Sequence, residues 1–315
     1  MPRVVVTRGL PEPALAALRE SGADVWVSPA DRPLSTEELH AAARGADALV
    51  TMLHDRVDDA LLTAAGEQLR VVANVAVGYD NIALDAARRH GVTITNTPGV
   101  LTDATADLAI ALLLAITRRL GEGERLIRSR RPWAWAIDFM LGRGLRGKTL
   151  GIVGYGQIGQ ATAQRARAFG MEVVYTRRSP GDDPAQVELG ELLERSHAVS
   201  LHCPLTPETR HLIDADALAR MRDDAYLVNT ARGPVVDEAA LAAALRDGVI
   251  AGAALDVFER EPEVHPDLIG RENVVLVPHL GSATVETRTA MAELAAANAI
   301  AVLAGEDPPT PVFKA

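Results

Sequence analysis

The chain has 315 residues, with 32 Lys and Arg against 42 Asp and Glu, a formal charge of −10 and only 3% aromatic residues. That length accommodates two domains, each with its own core. Phosphate neutralisation and base stacking need basic and aromatic residues that are not concentrated here, so no nucleic-acid partner is expected.

In chain order, residues 3–7 read as a strand, an apolar stretch too short for a signal peptide. A helix near 12–21 and a strand at 24–28 follow. Ser35-Thr36-Glu37-Glu38 is a capping box that opens a helix reaching Ala43. Strands at 46–51, 69–75 and 92–96 alternate with helices at 58–65 and 82–90, which predicts a parallel sheet. The first strand leads into Thr7-Arg8-Gly9-Leu10-Pro11, which is no phosphate fingerprint. This first unit is therefore not expected to hold a dinucleotide. Its loop Ala76-Val77-Gly78-Tyr79-Asp80-Asn81 directly follows a strand. Gly78 lets the backbone curl, and adjacent N–H groups there could hold an anion; an ordinary turn is the plainer account.

Asn96-Thr97-Pro98-Gly99 interrupts the pattern. Thr102 or Asp103 is then expected to cap a long apolar helix, 104–120, which must be buried in a core or against a second subunit. Its apolar run, 108–116, is too short to cross a bilayer, so no membrane partner is expected. The mixed segment 121–147 carries Trp133 and Trp135. Core packing, an interface or the wall of a substrate pocket would each account for them.

Residues 149–153 form a short β-branched strand, Gly154, Gly156 and Gly159 give G-x-G-x-x-G, and a helical pattern starts at Gln157. A dinucleotide needs that order. Gly154 makes the turn, Gly156 lets backbone approach a pyrophosphate, and Gly159 packs helix on strand, while the helix N-terminus offers its N–H groups. The next strand, 172–175, ends at Thr176-Arg177-Arg178. A carboxylate there would accept from the ribose 2′-hydroxyl and favour NAD, whereas two guanidinium groups suit a 2′-phosphate. NADP is therefore preferred, with NAD possible; arginines merely solvated at a strand end are the alternative.

Strands at 198–201, 226–228, 253–255 and 274–277 deliver His202, Asn229 to Arg232, Asp256 and His279 at their carboxyl ends. In an open α/β sheet, ligands bind along that edge. A histidine is the usual proton donor near neutral pH. His279 is the first candidate and His202 the second. Glu261 can reach His279, with Glu259 and Glu263 as competitors that spacing does not separate. The planar fork of Arg232 suits a carboxylate beside a carbonyl. Neither a metal-ligand spacing nor a nucleophile elbow is present, so no metal is expected. Helix 284–305 is expected to cross back to the first unit, followed by a Pro-rich tail, 308–315. The fold class is thus α/β, with two Rossmann-like (flavodoxin-like), doubly wound, parallel-sheet domains. These are 1–98 plus 285–315 for substrate and 99–284 for the dinucleotide, with a cleft between them that opens and closes. The single cysteine, Cys203, excludes an intrachain disulfide and fits a reducing, cytoplasmic location.

Gly154-Tyr-Gly-Gln-Ile-Gly159, His202-Cys-Pro-Leu-Thr206, Val228-Asn-Thr-Ala-Arg-Gly233, Asp256-Val-Phe-Glu-Arg-Glu-Pro262 and Pro278-His-Leu-Gly281 together resemble the D-isomer-specific 2-hydroxyacid dehydrogenases. Within that family, the loop 76–81, Leu101-Thr-Asp-Ala-Thr-Ala-Asp107 and the Trp segment look most like glyoxylate/hydroxypyruvate reductases. The resemblance implies NAD(P)H-dependent reduction of a small 2-oxoacid. It assigns catalysis to Arg232, Glu261 and His279, with Glu261 keeping His279 protonated. Substrate would be bound by Val77, Gly78, Arg232 and His279. Cofactor contacts would come from Val77, Thr105, Gly154, Gly156, Gln157, Ile158, Gly159, Thr176, Arg177, Arg178, Cys203, Pro204, Thr209, Thr230, Ala231, Arg232, Asp256, His279 and Gly281. It also implies a homodimer built on helix 104–120. Alternatives are another D-2-hydroxyacid oxidation (phosphoglycerate, D-lactate, phosphite) or a non-catalytic, dinucleotide-sensing corepressor-like protein. The chain ends too early for the regulatory domain that some phosphoglycerate dehydrogenases append.

Overall fold

Aliphatic, β-branched runs make the strands of this protein, and Ser, Thr or Asp residues cap several of its helices. The computed structural model describes residues 1–179 and 181–314. Two units emerge: Met1–Leu101 with the chain from Ala283 onward, and Thr102–Ser282.

The first unit contains β1 (Arg3–Val6), α1 (Glu12–Glu20), β2 (Asp24–Val27), α2 (Thr36–Ala43), β3 (Ala48–Thr51), α3 (Asp59–Ala65), β4 (Val71–Asn74), α4 (Leu84–Arg89) and β5 (Thr93–Thr95). The Ser35–Glu38 capping box forms as the sequence predicts. β5, β4, β3, β1 and β2 lie side by side in that order, all parallel. Period-two alternation splits the sheet's side chains between its faces. Val5, Leu49, Val72 and Ile94 pack with Leu39, Leu61 and Leu62 of α2 and α3. Val4, Val6, Val50 and Ala73 pack with Leu18 of α1 and with Ala292, Ala295, Ala296 and Ala299.

The second unit opens with α5 (Thr102–Thr117) and α6 (Leu120–Arg128). It continues with β6 (Thr149–Val153), α7 (Gln157–Ala168), β7 (Glu172–Thr176), α8 (Leu189–Arg195), β8 (Ala198–Leu201), α9 (Ala215–Arg220), β9 (Tyr226–Asn229), α10 (Glu238–Asp247), β10 (Gly252–Leu255) and β11 (Val274–Leu276). Its sheet runs β11-β10-β9-β8-β6-β7, parallel throughout. The chain then returns to the first unit as α11 (Val285–Ala304) and β12 (Pro311–Phe313). The alanines that line α11 let it lie close against β3, β4 and α1.

Two local expectations are corrected. Thr102 and Asp103 stand inside the first turn of α5 rather than capping it. The helix also stops at Thr117. Arg119 adopts a left-handed backbone (φ 56°), and α6 starts immediately after. The free carbonyl of Thr117 accepts from Arg143 N (2.8 Å), so the 142–143 loop takes the place of another helical turn. The Pro-rich segment also carries a strand: β12 adds to β5 as an antiparallel edge strand. Buried Asn298 binds Thr310 through both side-chain ends, at 2.8 and 2.9 Å. An edge position tolerates Pro311, which has no N–H to donate.

Candidate active site

Each glycine of the fingerprint meets a different constraint. Gly154 has φ +94°, and a Cβ there would lie 2.5 Å from Cys203 N, so both its conformation and its close approach to the end of β8 require glycine. A Cβ on Gly159 would sit 2.2 Å from Gly154 O, which is how α7 comes so near the turn. A Cβ on Gly156 would meet nothing within 4 Å. The turn therefore presents bare backbone to open space, and no side chain caps α7, whose N-cap is Gly156. Gln157 and Ile158 open that helix. Gly154 N donates to Thr176 O (2.9 Å), which fixes Thr176, Arg177 and Arg178 beside the turn. Arg177 and Arg178 are exposed; Arg177 Nε donates to Gln186 Oε1 at 3.3 Å.

The remaining strand ends share that edge. Among the described residues, Thr230 Oγ1 at the end of β9 is buried with no hydrogen-bond partner. An orphaned polar atom on the same sheet edge as an open glycine turn is what a polar cofactor would complete. A dinucleotide thus fits the residues present: the 154–159 turn and α7 for the pyrophosphate, Thr176–Arg178 for the adenosine end, and Thr230 with Asp256 further along. Thr209 is a partial exception. Its hydroxyl donates to Pro204 O (2.7 Å) and accepts from Thr206 N (2.8 Å), so it folds its own loop. Cys203 is buried, and burial pushes its thiol up to about 11, which leaves it protonated and inert.

His279 follows β11 with a left-handed backbone (φ 53°). A non-glycine residue holds that conformation at a cost of roughly 1 kcal/mol or more. What holds it is Asp256. The carbonyl of Asp256 accepts from His279 N (2.8 Å), and its carboxylate oxygens accept from Leu280 N (2.5 Å) and Gly281 N (2.9 Å). Burial pushes Asp256 up, and those donors together with His279 offset part of the rise. Thr105, from α5, donates to Gly281 O (3.1 Å) and closes the same turn. The ring of His279 then points Nδ1 at Glu261 Oε2 (2.9 Å), with the two side chains 25% and 31% exposed. Burial pushes Glu261 up, but the bond and charge of His279, the N–H of Phe258 and the charge of Arg232 together leave it below its ordinary value. Glu261 is therefore a carboxylate at neutral pH, and Nε2 is the nitrogen left for substrate. His279, Glu261, Phe258, Pro262, Val264, Leu276, Val277 and Pro278 line a mostly apolar cavity of about 290 Å³.

The three glutamates that spacing left open are now separated. Glu261 meets His279, whereas Glu259 pairs with His211. Among the described residues no side-chain hydrogen bond links Glu263 to either histidine. His202 is corrected as an acid. Burial lowers its pKa to about 4, Nε2 lies 2.9 Å from Ser200 Oγ and Nδ1 is enclosed, so the ring is neutral and cannot deliver a proton near neutral pH. Arg232 sits in an extended stretch after β9. Asn229 shapes the bend by donating to Arg232 O (2.9 Å) and accepting from Ala231 N (3.0 Å).

In the first unit, sequence reasoning missed the residues that shape loop 76–81. Asn74 Nδ2 donates to Gly78 O (2.9 Å) and Asn96 Nδ2 to Val77 O (2.8 Å). With their carbonyls drawn onto buried amides, Val77 and Gly78 donate to no backbone carbonyl among the described residues. The available signal was an Asn at the end of each of two apolar strands.

Residues 110–281 match the family described as D-isomer specific 2-hydroxyacid dehydrogenase, NAD binding domain. The chain belongs to that family. It is 50% identical to a glyoxylate reductase of Thermococcus kodakarensis, over 99% of this chain and 96% of the relative. A crystal structure of a Thermus thermophilus protein superposes with a TM-score of 0.94 at 48% identity, covering 99% of this chain and 100% of that one. The NADPH-dependent glyoxylate/hydroxypyruvate reductase of Sinorhizobium meliloti, solved with NADP and malonate, gives 0.87 at 34% identity, covering 100% and 98%. This dehydrogenase therefore has a doubly wound, mostly parallel sheet in each of its two units, matching solved structures of its kind.

Proposed function

We propose that this dehydrogenase reduces glyoxylate or hydroxypyruvate to the D-2-hydroxy acid and prefers NADPH. The observation that carries the chemistry is the His279 Nδ1–Glu261 Oε2 contact of 2.9 Å on the sheet edge that also holds the glycine turn. When bound, a reduced nicotinamide supplies the hydride. His279 gives a proton from Nε2 to the carbonyl oxygen, and Glu261 stabilises the imidazolium until it does so. Arg232 grips the carboxylate and the adjacent carbonyl; in the first unit, the backbone N–H groups of Val77 and Gly78 form a turn suited to a carboxylate. The substrate class rests on the glyoxylate reductases of Thermococcus and Sinorhizobium. The NADP preference rests on Thr176-Arg177-Arg178, a strand end with two guanidinium groups and no carboxylate of its own.

A homodimer and a cytoplasmic location belong to the same reading. Segment 120–141 leaves Leu120, Ile127, Trp135, Ile137 and Leu141 more than half exposed, an apolar surface that a second copy would cover. The deciding measurement is a spectrophotometric panel that crosses NADPH and NADH with glyoxylate, hydroxypyruvate and pyruvate. Turnover of the first two with NADPH favoured is expected. Tight NADPH binding without turnover of any 2-oxoacid would refute the enzyme reading.

A further inference from the structure

We propose that Glu238 is a positioning residue that holds the Glu261-bearing turn where it meets His279, an inference that rests on the His279–Glu261 reading above. Glu238 begins α10 and is 4% exposed. The helix does not need it as a cap, because Asp237 already accepts from Ala240 N (2.9 Å). The Glu238 side chain reaches instead to another loop, where Oε1 accepts from the backbone N–H of Glu259 (2.7 Å). Glu259 lies between Phe258, whose N–H donates to Glu261 Oε1 (3.1 Å), and Glu261 itself. Three links in series thus run from α10 to the catalytic ring: Glu238 to Glu259, Phe258 to Glu261, and Glu261 to His279.

The packing around these links is close. A Cβ on Gly233 would lie 1.9 Å from Phe258 C and 2.4 Å from Glu259 N, so the stretch after Arg232 rests flush on the same turn. The stretch 232–238 therefore carries Arg232 at one end and the anchor of the Glu261 turn at the other. It sets the spacing between guanidinium and acid–base pair as a single piece. His211 adds a second tie through its bond to Glu259. A buried carboxylate is costly to keep, and one whose backbone partners, Glu259 and His265, lie outside its own helix needs a reason beyond helix capping.

The charged groups around each member are few. Glu238 faces Glu259 and His265. His211 faces Glu259 and Asp237. His279 faces Glu261 and Asp256, with Arg232 acting on Glu261.

The test compares the full-length parent with Glu238→Leu and Glu238→Gln. The readout is the titration of the His279 ring by NMR on histidine-labelled protein, assigned with a His279→Asn variant. Leu removes the acceptor, Glu261 drifts from Nδ1, and the ring is expected to lose its proton about half a pH unit or more earlier than in the parent. Gln keeps a neutral acceptor and is expected to fall between the two; should Glu238→Leu not fold, the displacement of Glu238→Gln is the test. The alkaline limb of kcat/KM should move in the same order while the Kd for NADPH stays within about twofold of the parent. Coincident ring titrations in parent and variants would overturn the proposal. A Gln variant displaced as far as Leu would overturn it too, because the charge of Glu238 would then be acting through space. Failure of the 2-oxoacid reading gives a different pattern: no turnover in the parent, with the ring titrations still ordered as expected.

Discussion

The glycine turn gives the sharpest expectation, because neighbouring glycines are required for opposite reasons. In Gly156→Ala the new methyl enters space with no atom within 4 Å, and the backbone is already extended at φ −79° and ψ −163°. The unfolded chain loses freedom, worth about 0.4–1 kcal/mol, but Ala is a poorer N-cap than Gly by a similar amount, so folding should change by less than about 1 kcal/mol. That methyl stands where a pyrophosphate would approach. A penalty of roughly 1.4 kcal/mol, a tenfold rise in Kd for NADPH, is the least expected. In Gly159→Ala the methyl meets Gly154 O at 2.2 Å, far inside van der Waals contact. Overpacking of that kind costs about 1–3 kcal/mol. For a domain of this size it lowers Tm by roughly 2–4 °C per kcal/mol. Calorimetry without cofactor and a fluorescence titration with NADPH separate the two effects. The reasoning is refuted if Gly156→Ala lowers the cofactor-free Tm as far as Gly159→Ala does, or if it binds NADPH as tightly as the parent.

Three further outcomes follow from the site. Glu261→Gln removes a negative charge 2.9 Å from Nδ1. A partly exposed charge-assisted bond is worth about 1–2 kcal/mol, so the alkaline limb of reduction should move down by about one pH unit. The sign follows from the proton: reduction needs imidazolium, and without its carboxylate partner that cation loses its proton at a lower pH. An unmoved limb would break the pairing. Asn96→Ala frees Val77 O, so KM for the 2-oxoacid should rise about fivefold or more with kcat and NADPH affinity nearly unchanged; an effect on kcat alone would count against the carboxylate cradle. Replacing Arg177 and Arg178 by Ser should cut kcat/KM with NADPH by about tenfold or more and spare NADH, as loss of phosphate pairing requires. Equal losses with both cofactors would remove the arginines from the 2′-phosphate.

Much of the fold was legible because its signals are local. Residues 149–159 carry strand, turn and helix in consecutive positions, and each glycine there meets a constraint within the same unit. The end of α5 was not legible, since the 118–119 break answers to Arg143, more than twenty residues further on. β12 was hidden for the same reason. Its strand partners, Ile94 and Thr95, are remote in sequence, and a Pro-rich composition argues locally for a tail.

The site divides along the same line. Strand-end positions revealed which residues reach the edge, because a parallel sheet delivers every carboxyl end to one side. They could not reveal what each group meets there. His202 and His279 look alike as strand-end histidines, yet one ring is enclosed and neutral while the other faces a carboxylate. The difference lies in the left-handed backbone of His279. Histidine accepts that conformation only where surrounding bonds enforce it, and here Asp256 supplies three of them, one through its own carbonyl and two through its carboxylate. A carboxylate oxygen has lone pairs beyond those used by Leu280 and Gly281. Asp256 can therefore hold the turn and still accept from a carboxamide, so its part in aiming the ring of His279, the proposed acid–base group, adds to the cofactor role that the family resemblance implies.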